Sequence, residues 1–315
     1  MTSQIVRETS KTDTKSSAAG SSAPANATAE EMIDDEEFVG NKLGLGFWLS
    51  LAWIVVVSVA AFLAPWLPLR PVTGPESIDI LNADSPPSLS NPFGTNELGT
   101  DVFALAIWGA RTSLVVGFAS IAFGMLIGGT LGIISGFLGG VLDKAVSFVF
   151  LLLLSFPALI LAIFIINSLG RTLLWTTLTI GILSIPSIGR LARAQTLTFA
   201  QREFVTASRA LGAKNGRVMI REILPNVMMP MAALALLGVA IAIVAEGTLA
   251  FIGLGPAGAP KSWGELISLS SGEGPLLNAP WRAFAPILMI FFTILSLNYM
   301  GDQVRRLFDV KDIPL

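Results

Sequence analysis

The chain places a single acid in a long apolar run, Glu246 in AIVAEGTLAFIGLG, and it has no histidine and no cysteine among its 315 residues. Without an imidazole there is no base near neutral pH to activate a serine, which excludes an intramembrane serine protease. Without a thiolate there is no disulfide and no soft-metal site. No glycine-rich loop ending in Gly-Lys-Ser or Gly-Lys-Thr occurs, so the chain cannot cradle the phosphates of a nucleotide. The chemistry left is that of burial and contact. A carboxylate deep in a membrane helix costs about 2.5–3.5 kcal/mol on insertion scales and needs a partner. Counted along its helix, Glu246 lies toward one boundary. Its expected partners are Arg111, Arg171 or Arg282 at the helix ends, a hydroxyl, or another subunit, and the contact reads as a gate or a scaffold.

A second constellation sits in QREFVTASRALGAKNGRVMIREILPN, where Phe204, Ala207 and Leu211 at i, i+3 and i+7 share one face of a short helix. Glu203 and Arg209 lie on the same short helix. Gly212 suits a helix C-cap, where φ is positive and a side chain is penalised. A second helix is expected from near Asn215 until Leu224-Pro225, since proline restricts what precedes it. An apolar, cationic helix-turn-helix of this kind suits a groove on a soluble partner.

The elements that must hold these residues are membrane helices. The chain is 53% hydrophobic and 13% charged, with a mean hydropathy of +0.71, whereas soluble domains carry about a quarter charged residues. Six charge-free runs are long enough to cross about 30 Å of hydrocarbon: 43–69, 112–142, 145–170, 172–189, 223–245 and 283–301. Fifteen of the twenty Lys and Arg residues fall on one side if the N-terminus is cytoplasmic, seven of them in 190–222. This bias predicts both termini inside. The expected organisation is a disordered cytoplasmic tail over 1–42, a first transmembrane helix over 43–64 and an exterior segment over 65–111. A five-helix core follows over 112–300, with a cytoplasmic loop at 190–224 and an exterior loop at 255–282, and then a cytoplasmic tail over 301–315. The tail before the first run sets it too far along to be a cleaved signal peptide, so it is expected to stay as an anchor. The long exterior segments read as a cap or docking rim.

Within the second run Gly124, Gly128, Gly132 and Gly136 recur every fourth residue and form a stripe for close helix packing. Pro157, Pro186 and Pro286 predict kinks in the third, fourth and sixth runs.

Residues 206–225 resemble the cytoplasmic signature of the ATP-binding-cassette importer permeases: Glu-Ala-Ala, three residues, Gly, nine residues, Ile, one residue, Leu-Pro. Ala207, Gly212, Leu224 and Pro225 match it, while Thr206, Ser208 and Glu222 differ. Glu203 stands one turn before the missing acid. NPFGTNELGTDVFALAIWGARTSL, VAEGTLAFIGLG and SWGELIS are similar to further segments of the dipeptide, oligopeptide and nickel branch, in its C-type subunit. Asn96 and Thr100 stand where that branch usually has Asp and Arg. The resemblance covers about residues 44–310 and implies an all-α, six-helix, type I importer permease fold. It implies a heterodimeric pore with a B-type permease, two cytoplasmic ATPases, an exterior substrate-binding protein and surrounding lipid, with no nucleic acid. No cofactor is expected on this chain, ATP and magnesium belonging to the ATPases. Coupling to them would fall to Glu203, Phe204, Ala207, Arg209, Leu211, Gly212, Leu224 and Pro225. The cargo implied is peptide, moved by alternating access and without catalysis by this subunit. Alternatives are a nickel chelate or glutathione, or an ion-coupled secondary transporter, for which Glu246 alone is available near the boundary.

Overall fold

Each of the six apolar runs holds a helix in a computed structural model, which describes residues 44–258 and 260–309. The tail read as disordered, 1–42, lies outside the described residues, as does the end of the chain beyond 309. The helices are α1, Leu45–Leu63; α2, Val102–Leu138; α3, Gly140–Leu154; α4, Ala158–Leu169; and α5, Leu173–Ala200. They continue as α6, Glu203–Ala210; α7, Asn215–Leu254; α8, Trp263–Ser270; α9, Glu273–Asn278; and α10, Trp281–Asp309.

The helices run past the charges at which charge-free counting stops them. α2 starts at Val102, not Thr112, and passes through Arg111; α5 passes Arg190 and continues to Ala200. Both arginines are exposed, because a long cationic side chain carries its head to the surface without ending the helix beneath it. What starts α2 is a cap: the Asp101 carboxylate accepts from the Phe103 amide at 3.1 Å. Burial pushes the Asp101 carboxyl above its usual range, and the Phe103 and Ala104 amides oppose that shift.

The third run is not one rod. α3 and α4 meet at 87° across residues 155–157, so Pro157 breaks the run where a kink was expected. α7, by contrast, is longer than expected. It absorbs Pro225 by forming a π turn over Met219–Ile223 just before it, with the Leu224 amide reaching the Met219 carbonyl. A proline that lacks its N–H fits where the ladder is already shifted by one residue. The helix expected to stop at Pro225 therefore continues into the fifth membrane run. Pro186 and Pro286 lie inside α5 and α10.

Two buried apolar clusters make up most of the core among the described residues, and a third, small one joins Val102 and Ala106 of α2 to Ala285 of α10. The larger joins Ala110, Leu114 and Ile121 of α2 with Ile180 of α5, and Val239 and Ile243 of α7. The smaller joins Ile133, Ala192, Val205, Val218, Ile223, Val227 and Met231 and lies toward α6. At the opposite end, residues 72–100 are fastened to the start of α10. Trp281 Nε1 donates to the Thr95 carbonyl at 3.1 Å, and the buried Arg282 guanidinium pairs with Asp84 at 3.2 Å and Glu97 at 3.0 Å. Asn96 and Thr100 shape this segment. Asn96 Oδ1 accepts the Leu98 and Thr100 amides, and the Thr100 hydroxyl donates to the Ser77 carbonyl at 2.9 Å.

Candidate functional site

The glycine stripe of α2 sets how closely the central helices approach. Gly128, Gly132 and Gly136 face the Ile185, Gly189 and Arg193 carbonyls of α5, and Gly124 faces Ser184. A methyl group at Gly132 would overlap the Gly189 carbonyl oxygen. On a helix of 3.6 residues per turn, a four-residue repeat drifts about 40° per step. The π turn at Met125–Gly129 lies within the stripe, and its wider turn offsets part of that drift.

At the α8 end, Glu246 is 1% exposed. The Ser113 hydroxyl of α2 donates to its Oε2 at 3.1 Å, and the Trp263 amide at the start of α8 donates to that same hydroxyl at 3.2 Å. Trp263 Nε1 donates to the Ala106 carbonyl at 2.8 Å. The Thr112 hydroxyl donates to the Pro260 carbonyl at 2.7 Å. α8 reaches this depth because glycine meets glycine: a methyl group on Gly264 would overlap the Gly247 backbone of α7. The three segments GARTS, VAEG and SWGE thus close on one buried carboxyl. Of the arginines expected beside it, Arg171 donates to the Gly253 carbonyl at 2.5 Å, Arg282 holds Asp84 and Glu97, and Arg111 is exposed. A hydroxyl partners Glu246 instead. Oε1 has no hydrogen-bond partner among the described residues.

This network gives a direct expectation. Glu246→Gln keeps an acceptor for the Ser113 hydroxyl, whereas Glu246→Leu leaves that hydroxyl buried without one, at a cost of about 1–3 kcal/mol. Thermal unfolding in detergent should place the Leu variant clearly below the Gln variant. Equal midpoints would mean that the hydroxyl contact contributes nothing.

At the other end, α6 turns outward. Val205 is fully buried in the smaller cluster with Val218, while Phe204 and Ala207 are exposed and Leu211 is 88% exposed. Gly212 has φ of 83°. Its amide bonds the Arg209 carbonyl at 2.9 Å, and the Ala213 amide reaches back to Ser208 at 3.1 Å. Those two bonds make a Schellman C-cap, which requires the left-handed residue that glycine supplies. Arg209 lies over the Phe137 ring of α2 at 5.3 Å, so it steadies α6 within the chain. Leu224 packs against the smaller cluster, Pro225 is exposed, and Glu203 is exposed in the first turn of α6.

Sequence reading singled out neither Ser113 nor Trp263, nor the paired Gly247 and Gly264. A tryptophan between a serine and a glycine, with another glycine directly after an intramembrane acid, was the available signal. Their meeting is a long-range event that no local spacing encodes.

Residues 128–311, more than half of the chain, match the family described as binding-protein-dependent transport system inner membrane component. The chain belongs to that permease family. It is 34% identical over 263 residues to the dipeptide transport system permease protein DppC of Alkalihalophilus pseudofirmus, across 84% of this permease and 86% of that protein. To the oligopeptide transport system permease protein OppC of Bacillus subtilis it is 34% identical over 274 residues, 87% of each chain. The glutathione transport system permease protein GsiD of Pectobacterium atrosepticum is 30% identical over 259 residues, 82% of this permease and 85% of that protein. Among solved structures, a chain of the MetNI methionine ABC transporter matches with a TM-score of 0.54 at 21% identity. It covers 65% of this permease and 97% of that chain. That likeness shows the fold, all-helical and multi-pass, as the apolar runs and the family resemblance imply. Membership in a family whose transport depends on a binding protein replaces the ion-coupled alternative.

Proposed function

We propose that this permease is the C-type membrane subunit of an ATP-driven importer that moves short peptides, pairing with a B-type permease, two ATPases and an exterior binding protein. The observation that carries this reading is the α6 turn, a helix anchored by Val205 whose opposite face offers Phe204, Ala207 and Leu211 to solvent. Apolar side chains held out beside the charges of 190–222 suit a groove on a soluble protein. The same charges favour a cytoplasmic side for this turn and for both termini. Nucleotide and magnesium would reside on the ATPases, and this chain would carry no cofactor. The DppC and OppC relatives favour peptide as cargo. The GsiD relative favours glutathione, a modified tripeptide, as the second reading.

Reconstitution in vesicles with the companion permease, the ATPases and the binding protein tests the proposal. Labelled dipeptide should accumulate only with ATP inside the compartment facing the ATPases and binding protein on the other side. Accumulation driven by an ion gradient without ATP, or none with dipeptide, longer peptide or glutathione, would refute it.

A further inference from the structure

Between the α8 end and the α6 end of the bundle lies a layer in which several helices lose regularity at one depth. In α2 this is the π turn Met125–Gly129. In α5 it is Pro186, beside the Ile185 carbonyl that Gly128 faces. Between α3 and α4 it is the 87° break at 155–157. That break comes one helical turn after Phe150, whose buried ring fills the space a side chain at Gly189 would need. The apolar cores divide at the same depth. Ile121 and Ile180 belong to the larger cluster, Ile133 and Ala192 to the smaller, and Met125 and Ile188 border both. A π turn, a helical proline and a break are the features at which helices bend.

Below this layer α3 is fixed to α5 at two points. Phe150 packs on Gly189, and nearer the α6 end Arg193 forks onto Asp143, with Nε donating to Oδ1 and Nη2 to Oδ2, the latter at 2.6 Å. A bidentate guanidinium–carboxylate pair fixes orientation as well as distance. The pair is only partly buried, with side chains 32% and 19% exposed, so its role is geometric more than stabilising. α5 continues from Arg193 to Ala200, two residues before α6. α3 is therefore tied to the rod that carries α6, while α4 packs through Ala162 and Ile166 into the larger cluster above the layer.

We propose that Asp143 and Arg193 are positioning residues that lock α3 to the α6-bearing half of the chain, so that this half swings as one body about the layer formed by 125–129, 155–157 and Pro186. The inference rests on the ATP-driven reading given above. It differs from rocking of the whole subunit because it requires motion inside one chain. Transport would then be expressed as a change of angle between α3 and α4.

The absence of cysteine allows spin labels to be placed in the assembled importer at Leu197 of α5, Val149 of α3 and Ile160 of α4, all exposed in this chain. Between the nucleotide-free state and the ATP state with hydrolysis blocked by vanadate, the 149–197 distance should stay constant and the 160–197 distance should shift. In Asp143→Ala the 149–197 distance should broaden, and substrate imported per ATP should fall at least fivefold. The exchanged pair Asp143→Arg with Arg193→Asp should recover most of that loss, which a residue needed only for folding would not do. If the unlabelled complex imports with ATP and both distances stay fixed, the hinge is wrong and the import assignment stands. Full coupling in Asp143→Ala would overturn the role of the pair.

Discussion

Ala207→Arg and Gly212→Val should each give a permease that inserts and folds, yet couples ATP hydrolysis to uptake at least tenfold less well than the parent. Ala207 lies on the exposed face of α6, so an arginine there does not disturb the bundle. In a groove on the ATPase it would bury an unpaired charge, at several kcal/mol, enough to reduce docking more than a hundredfold. Gly212 acts differently. A methyl group at this position would meet nothing within 4 Å, so the cost of valine lies in the backbone, where φ of 83° penalises a side chain by about 1–2 kcal/mol. That strain would redirect α6 without touching the core that holds Val205. Uptake and substrate-stimulated hydrolysis, measured together in vesicles, separate lost docking from lost assembly. Normal coupled uptake by both variants would remove α6 from the transmission.

The glycine stripe predicts a second large effect, with a control in the same helix. Gly132→Ala should destabilise the permease because the added methyl overlaps the Gly189 carbonyl, a backbone atom that cannot rotate away. Overpacking of this kind costs about 1–3 kcal/mol. Gly129→Ala, three residues earlier in α2, meets nothing within 4 Å and gains roughly 1 kcal/mol in helix propensity. The two variants should move the unfolding midpoint in detergent in opposite directions. Parallel shifts would mean that α2 and α5 can separate freely, contrary to the close approach seen along the stripe.

These residues also show what the sequence could disclose. The period of four in Gly124 to Gly136 is local, and it identified a face without naming α5 as its partner. Gly212 was legible because a positive φ at a helix end leaves few residue types able to follow. Helix ends were less so: Arg111 and Arg190 interrupt charge-free counting, although a flexible cationic side chain does not end a helix. The partner of Glu246 was out of reach for a different reason. Ser113 lies 133 residues away, and the glycine contact between α7 and α8, with the bonds of Trp263 and Pro260 to α2, brings Trp263 to the same place. The Asp143–Arg193 pair joins residues 50 apart and was hidden similarly, each member looking like an ordinary surface charge.

The corner between α3 and α4 sets a condition on the medium around this chain. The last carbonyls of α3 have no helical amides to receive, and hydrocarbon offers none. Ser155 turns its amide back onto the Leu151 and Leu152 carbonyls at 3.0 and 3.2 Å, and the ladder resumes only with the Leu161 amide on the Pro157 carbonyl. α4, at 12 residues, is about 18 Å long, well short of an acyl layer about 30 Å thick. Lipid alone is thus a poor solvent for this flank: the corner requires either water drawn to that depth or the polar groups of a neighbouring protein, and the permease is fully solvated only where one of them reaches it.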